Sequence, residues 1–261
     1  MFKNFYTTFN IGPIPIQVWG FFVALGMLLT FIIIWKRGKS LGYDIERILD
    51  LSVWMVVSGL IGSRFFHVFF YEPVYFLENP IDIVKFWQGG MSSFGGVAGA
   101  ILAFFLFKRK NNFLREKLLA IVDLIAFSAL YGWMLGRVGC VLIHDHLGRV
   151  YKSFLSIQTS AGPRLDMAAL EIVGLIPLAI IFYLSRNKKR QDGWYFYTLF
   201  IYYGILRFVL DFFRAIDIEH ADARYFGLTP GQYFGIVLML IGIVLMNKKR
   251  SKDTRYKQFP N

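Results

Sequence analysis

The chain has a single cysteine, Cys140, among 261 residues. That excludes an intramolecular disulfide and any metal site built from several cysteines. Acidic residues are scarce as well: 17 Asp and Glu stand against 29 Lys and Arg, a formal charge of +12. Such an excess can mark a nucleic-acid partner, but the basic residues are not spread along a face with interleaved aromatics, which argues against nucleic acid. No internal repeat, inverted repeat or low-complexity segment is visible. A secondary transporter for an anion therefore lacks its sequence mark. The first apolar stretch has no evident small-residue cleavage site, and its basic cluster follows the apolar run, so it is expected to stay as a helix.

What the chain has in quantity is apolar length. It is 56% hydrophobic and 18% aromatic, well above the usual soluble range. Stretches near the roughly 20 residues a helix needs to cross about 30 Å of hydrocarbon fall at 16–36, 48–71, 91–108, 118–142, 168–185, 193–212 and 230–247. The clusters WKRGK (35–39), KRKNNFLREK (108–117), SRNKKR (185–190) and NKKRSKDTRYK (247–257) are separated by two crossings each, as the positive-inside rule expects of cytoplasmic ends. The expected fold is an all-α polytopic integral membrane protein of about seven transmembrane helices, with the N-terminus outside and the C-terminus cytoplasmic. Residues 1–261 read as one transmembrane domain with outer-face loops at 72–90, 143–167 and 213–229. Tyr71, Tyr75, Phe76, Phe86 and Trp87 make the first of these aromatic enough to lie along the interface. These loops form the expected working face.

Charged residues also fall inside the expected spans: Arg64 and His67, Asp123 and Arg137, Glu171, and Arg207 with Asp211. Each charge costs about 2.5–3.5 kcal/mol at a helix centre, so the group requires partners or a wet cavity. Arg207 and Asp211 stand four apart on one helix face and are open to reading as a structural ion pair. Arg64, Arg137, Arg207 and Arg214 lie in the outer halves of their helices, and Arg149 and Arg164 in the following loop. Against them the outer side offers Asp145, Asp166, Glu171, Asp211 and Asp217. A guanidinium is a planar fork that suits phosphate oxygens, so the expected ligand is a phospholipid head group. Glycines in GLIGSRFFH (59–67), GGMSSFGGVAGA (89–100) and GRVGC (136–140) suit helix packing or space for a ligand. Of these, MSSFGG (91–96) reads as a lipid pocket rather than plain packing.

Most polar chemistry is concentrated in GRVGCVLIHDHLGR (136–149). Beside WQGGMSSFGG and LRFVLDFFR (206–214), it makes the chain resemble the bacterial prolipoprotein diacylglyceryl transferases. Their signature runs approximately G-R-x-G-N-F-x-N-x-E-x-x-G-R, matched here by Gly136, Arg137, Gly139, Gly148 and Arg149. IGPIPIQVWG, GSRFFHVFFY, RLDMAALE and LTPGQ resemble further family blocks in the family's order, so the likeness covers nearly the whole chain. It implies transfer of the diacylglyceryl group of phosphatidylglycerol to the lipobox cysteine thiol of a preprolipoprotein, with release of glycerol phosphate, in lipoprotein biosynthesis. The implied location is the bacterial cytoplasmic (inner) membrane, and the implied partners are phosphatidylglycerol and the signal peptide of preprolipoproteins.

Arg137 and Arg207 are the implied catalytic arginines, facing charge that develops on the departing phosphate. The implied phosphatidylglycerol-binding set is Arg64, Arg137, Gly136, Gly139, Gly148, Ser92, Ser93, Gly95, Gly96 and Arg214, with Asp211 and Glu171 behind it. The chain departs from the family at several positions. Cys140 and Ile143 replace the signature's asparagines, Asp145 its Glu, Phe94 and Leu165 two family histidines, and Trp19 a tyrosine of the first helix. HDH supplies what the signature lacks: His144 or His146 is the expected general base for the thiol proton, with Asp145 orienting it. Both histidines are alternatively plain loop residues. No cofactor or metal is expected, since no further His or Cys cluster completes a set from His144, Asp145 and His146. Cys140 reads as a packing residue. A reading from another class is a non-catalytic relative that binds a phospholipid head group or a membrane partner.

Overall fold

The computed structural model describes residues 7–12, 14–85, 90–110, 117–218 and 221–258, without the side chains of 11, 14, 15, 93, 94 and 249–258. Phe86, Trp87 and the side chains of Ser93 and Phe94 therefore lie outside the described residues.

A short antiparallel hairpin, β1 (Thr8–Ile11) and β2 (Ile14–Gln17), leads into helix α1 (Val18–Ser40). Then come α2 (Ile45–Phe70), the short α3 (Pro73–Glu78), a 3-10 turn at Pro80–Val84, α4 (Ser93–Lys110) and α5 (Leu118–Ile143). Strands β3 (Leu147–Val150), β4 (Ser156–Thr159) and β5 (Gly162–Asp166) follow. The chain closes with α6 (Met167–Ser185), α7 (Trp194–Leu210), a 3-10 turn at Asp211–Phe213 and α8 (Pro230–Gln258).

The protein is an all-α polytopic membrane protein: among the described residues, six helices are long and apolar enough to cross a bilayer. They are α1, α2, α5, α6, α7 with its 3-10 extension, and the first part of α8. The remaining expected span is α4, 18 residues whose last three are basic. At 1.5 Å per residue α4 reaches about 27 Å, just under the hydrocarbon thickness. The stretch expected as a loop over 143–167 carries a sheet of order β3-β5-β4, antiparallel throughout. Its strands are four or five residues long, too short for an alternating apolar pattern to stand out.

Two compact units can be distinguished, residues 34–121 and residues 1–33 with 122–261. In the first, α2 and α4 touch backbone to backbone. A Cβ on Gly62 would lie 2.5 Å from the Gly95 carbonyl oxygen, so only glycine fits. In the second, Phe127 and Leu130 of α5, Leu175, Leu178 and Phe182 of α6, and Tyr195 of α7 form a buried core. Their rings meet mostly edge to face: Tyr195 stands at 84° to Phe127 and 85° to Phe182. Helices α7 and α8 approach at Gly204 and Gly235, where a Cβ on Gly235 would come within 2.7 Å of the Gly204 carbonyl oxygen.

One intramembrane charge is accounted for here. Asp123 of α5 accepts from the backbone N–H groups of Gly193 and Phe196, each at 2.8 Å. Gly193 itself has no side chain to cap α7, so Asp123 satisfies the orphan donors of that helix and complements its positive end.

Candidate functional site

The site is built where α5 ends, α6 begins, α7 ends and α8 begins. Asp166 caps α6, its Oδ1 accepting from Ala168 N at 3.0 Å and Ala169 N at 3.1 Å. The first turns of α6 thereby carry Glu171 inward, where it is buried. Its Oε1 accepts from Trp133 Nε1 at 2.9 Å, Arg137 Nε at 3.0 Å and Tyr203 Oη at 3.4 Å. Its Oε2 lies 3.0 Å from Arg137 Nη2 and 3.6 Å from Arg207 Nη1. Arg137 also lies over the Trp133 ring, 5.0 Å from its centroid. A carboxylate has two oxygens and about four acceptor sites, and Glu171 uses them to hold two arginines from different helices.

Arg207 is fixed from a second side. Its Nη2 stands 3.2 Å from Asp211 Oδ1, and Asp211 Oδ2 accepts from Thr229 Oγ1 at 2.5 Å. Thr229 caps α8 in a reciprocal box: Gln232 N donates to Thr229 Oγ1 at 3.1 Å and Thr229 N to Gln232 Oε1 at 2.9 Å. The helix start, the carboxylate and the arginine are therefore one connected arrangement. Arg207 is thus paired with Asp211 and also converges with Arg137 on Glu171.

The HDH segment divides. His144 has a left-handed backbone, φ 51°, and its Nδ1 lies 2.6 Å from Asp166 Oδ2. The carboxylate against His144 is thus Asp166 and not Asp145, because the left-handed turn aims the two neighbouring side chains differently. Asp145 stands instead 3.7 Å from His146 Nε2, and desolvation raises its carboxyl above the usual range. His146 Nδ1 lies 3.5 Å from Arg214 Nη2. Burial, and then the charges of Arg137, Arg214 and Arg207, push the His146 imidazole down to about 3. It is neutral at physiological pH.

Two further outer arginines, Arg214 and Arg164, are paired. Arg214 Nε meets Asp222 Oδ2 at 2.9 Å. Arg164, itself buried, donates to the Gly148 carbonyl at 3.1 Å and to both oxygens of Asp217, at 2.9 and 2.5 Å. Gly148 lets β3 approach closely: a Cβ there would lie 2.8 Å from Leu165 Cβ and 2.9 Å from the Phe213 carbonyl oxygen. Gly139 faces α1, at 2.9 Å from Phe22 Cβ on the same criterion, and Gly136 makes ordinary contact with Val23. Arg149 is exposed on β3.

In the 34–121 unit, Arg64 is buried and donates to backbone carbonyls: Nε to Ile83 at 3.0 Å, Nη1 to Gly90 at 3.0 Å, and Nη2 to Asp82 and Lys85. That geometry anchors the segment after α3. Ser92 is buried, its N–H donating to the Ser63 carbonyl at 3.1 Å, and its hydroxyl has no hydrogen-bond partner among the described residues. Gly95 is engaged in the contact with α2, and Gly96 faces Gly59 and Ser63 of the same helix.

Several site residues carry no sequence signal of their own. Trp133 and Tyr203 look like ordinary span aromatics until the helices bring them to Glu171. Asp166 stands in the sequence only as one of several outer carboxylates, with nothing to mark it as the partner of His144. Only Thr229 with Gln232 is legible, as a threonine followed three residues later by glutamine ahead of an apolar run.

Known proteins resemble this chain over most of its length. The family profile described as Prolipoprotein diacylglyceryl transferase matches residues 6–248. A phosphatidylglycerol--prolipoprotein diacylglyceryl transferase of Oleidesulfovibrio alaskensis is 32% identical over 247 residues, 91% of this chain and 90% of the relative. Proteins of the same name from Anaplasma marginale and Staphylococcus xylosus are each 28% identical, covering 91% and 95% of this chain and 85% and 91% of their own lengths. With nearly its whole length matched, the chain belongs to the prolipoprotein diacylglyceryl transferase family.

Proposed function

We propose that this chain transfers the diacylglyceryl group of phosphatidylglycerol to the lipobox cysteine thiol of a preprolipoprotein and releases glycerol phosphate. The observation that carries the reading is the convergence of Arg137 and Arg207 on Glu171 in a chain of this family. Each guanidinium has five N–H donors, and Glu171 and Asp211 do not take them all. The remaining donors suit a phosphodiester, and they stabilise most strongly the extra charge on the phosphate as its bond to carbon breaks. Arg214 extends the same charge on the side of His146. Arg64 and the glycines enter as supports of segments and helix contacts.

In the reaction the thiol sulfur bonds to the glycerol carbon that carries the phosphate. The carbon–oxygen bond breaks, and its electron pair leaves with glycerol phosphate. His144 takes the thiol proton. Asp166 holds its Nδ1 at 2.6 Å, which fixes the hydrogen on that nitrogen and makes Nε2 the basic one. His146, pushed down to about 3 by burial and the neighbouring arginines, is too weak a base for that task. The chain works as one membrane domain with seven crossings, α4 included, with its N-terminus outside, in the bacterial inner membrane. It receives phosphatidylglycerol from the bilayer and the signal peptide of its protein substrate from the outer leaflet.

Purified protein, phosphatidylglycerol vesicles and a lipobox peptide test this directly. The expected result is a diacylglyceryl mass gain on the peptide with stoichiometric glycerol phosphate, abolished in Arg137→Ala. Absence of both from folded, lipid-binding protein overturns the reading. It would favour the non-catalytic relative, which Cys140 in place of the signature's asparagine and Phe94 in place of a family histidine support.

A further inference from the structure

We propose that Cys140, Asp145 and His146 form a site for one divalent metal ion of the zinc class, with a coordination position left for the thiol of the protein substrate. This rests on the transferase reading and deepens it. The Cys140 sulfur, an Asp145 carboxylate oxygen and a His146 ring nitrogen lie within 4.8 Å of one another. In a tetrahedral zinc site, ligand atoms at about 2.0–2.3 Å from the metal stand roughly 3.3–3.8 Å apart, so small side-chain rotations close the set. A thiolate, a carboxylate and an imidazole are zinc ligands, and three protein ligands are the number found where the fourth position is kept open for chemistry.

Backbone geometry gathers these groups. Cys140 lies in the last turn of α5, and His144 N donates to its carbonyl oxygen at 2.9 Å. The left-handed φ of 51° at His144 then brings the chain sharply back. This conformation is uncommon outside glycine, and here it turns Asp145 and His146 toward the sulfur rather than away from the helix end.

Charge pairing points the same way. Glu171 and Asp211 serve Arg137 and Arg207, Asp222 serves Arg214, Asp217 serves Arg164, and Asp166 caps α6 and holds His144. Asp145 has no lysine or arginine within ion-pair distance among the described residues; its neighbour is His146 at 3.7 Å. A divalent ion with one thiolate, one carboxylate and a neutral imidazole is electrically balanced. Arg137 Nη1, 3.7 Å from the Cys140 sulfur, then supports the thiolate from outside the metal shell. Ligation through His146 Nε2 places the ring proton on Nδ1. Arg214 Nη2, now 3.5 Å from Nδ1, has to turn away while its Nε stays on Asp222.

The reaction's nucleophile is itself a thiol, and a thiol bound to zinc is deprotonated outright. On binding, the substrate thiol would give its proton to His144, and the sulfur would keep its lone pair and displace the phosphate from the glycerol carbon with no change of oxidation state. Cys140 and Asp145 stand where the resembled signature has asparagine and glutamate, and His146 is added beside them. A metal-held thiolate would offset, in this chain, the two family histidines that positions 94 and 165 lack.

The experiment uses the full-length protein in detergent, stripped with chelator, reloaded with Zn²⁺ or Co²⁺ and freed of excess by gel filtration. The wild type should retain about one zinc per chain, and Cys140→Ser and His146→Ala at least about tenfold less. The Co²⁺ form of the wild type should show a near-ultraviolet thiolate-to-metal charge-transfer band, absent in Cys140→Ser. Peptide lipidation should fall more than about tenfold on stripping and return with Zn²⁺, while phosphatidylglycerol binding stays unchanged. Wild-type metal content no higher than that of Cys140→Ser, or no thiolate band with Co²⁺, overturns the site. Metal bound but full lipidation by the stripped protein overturns its role with the thiol. Lipidation absent in every metal state, with metal loading intact, instead overturns the transferase reading and leaves the site standing.

Discussion

Arg137 of α5 and Arg207 of α7 converge on one carboxylate oxygen, Glu171 Oε2, at 3.0 and 3.6 Å. Two like charges from separate helices are held together by a buried anion on a third. Removing that anion leaves Arg137 without a carboxylate partner and Arg207 with Asp211 alone, and breaking a buried pair costs about 3–5 kcal/mol. Glu171→Ala should therefore lower the thermal unfolding midpoint in detergent sharply, and any folded fraction should show a raised KM for phosphatidylglycerol. An unchanged midpoint would mean that water already screens the pair.

The His144–Asp166 contact at 2.6 Å separates base chemistry from helix capping. Asparagine caps helices about as well as aspartate, so Asp166→Asn should keep α6 while removing the charge beside His144. His144→Ala should reduce kcat about 10²-fold or more, within the usual range for a general base, and Asp166→Asn by a smaller factor. Wild-type turnover in His144→Ala, measured by peptide mass gain, would remove the histidine from the mechanism.

Thr229 joins the start of α8 to Asp211 and through it to Arg207. Thr229→Ala should cost about 1 kcal/mol from the lost cap. It should also reduce transfer, because Asp211 loses a donor and Arg207 its fixed neighbour. Thr229→Ser keeps the hydroxyl and should restore both readouts, which a merely bulky role for threonine would not.

Arg164 holds the Asp217 carboxyl below the usual carboxylate range, chiefly by donating directly to it. A carboxyl whose folded pKa is depressed adds stability that is fully present above its unfolded value of about 3.9. That contribution is lost as pH falls through the lower folded value. Protection factors around β5 and residues 215–218, exchange corrected for its intrinsic pH-dependent rate, should therefore be steady from neutral pH down to about 4 and fall below it. Asp217→Asn should show the lower protection already at neutral pH and lose the acid dependence.

Membrane character was legible because a span needs a long apolar run, and such runs are local. The signature arginines were legible for a related reason: a charge in an apolar run stands out residue by residue. Asp123 shows the limit, since its partners are backbone N–H groups some 70 positions away, and a backbone donor carries no side-chain signal. Arg64 shows another, because the carbonyls that take its hydrogen bonds belong to a segment whose path the sequence leaves open.

By itself the sequence determined that helices cross a membrane and that Arg137, Arg207, Glu171 and Asp211 must find partners there, because hydrophobic length and uncompensated charge are properties of the chain read in order. Apart from pairs close in sequence such as Arg207 with Asp211, which carboxylate meets which cation was decided by tertiary structure. The left-handed turn at His144 gave that histidine to Asp166 and set Asp145 and His146 beside Cys140. Ion pairs act over a few ångströms, and only the packed helix ends fix distances that small between residues so far apart in the chain.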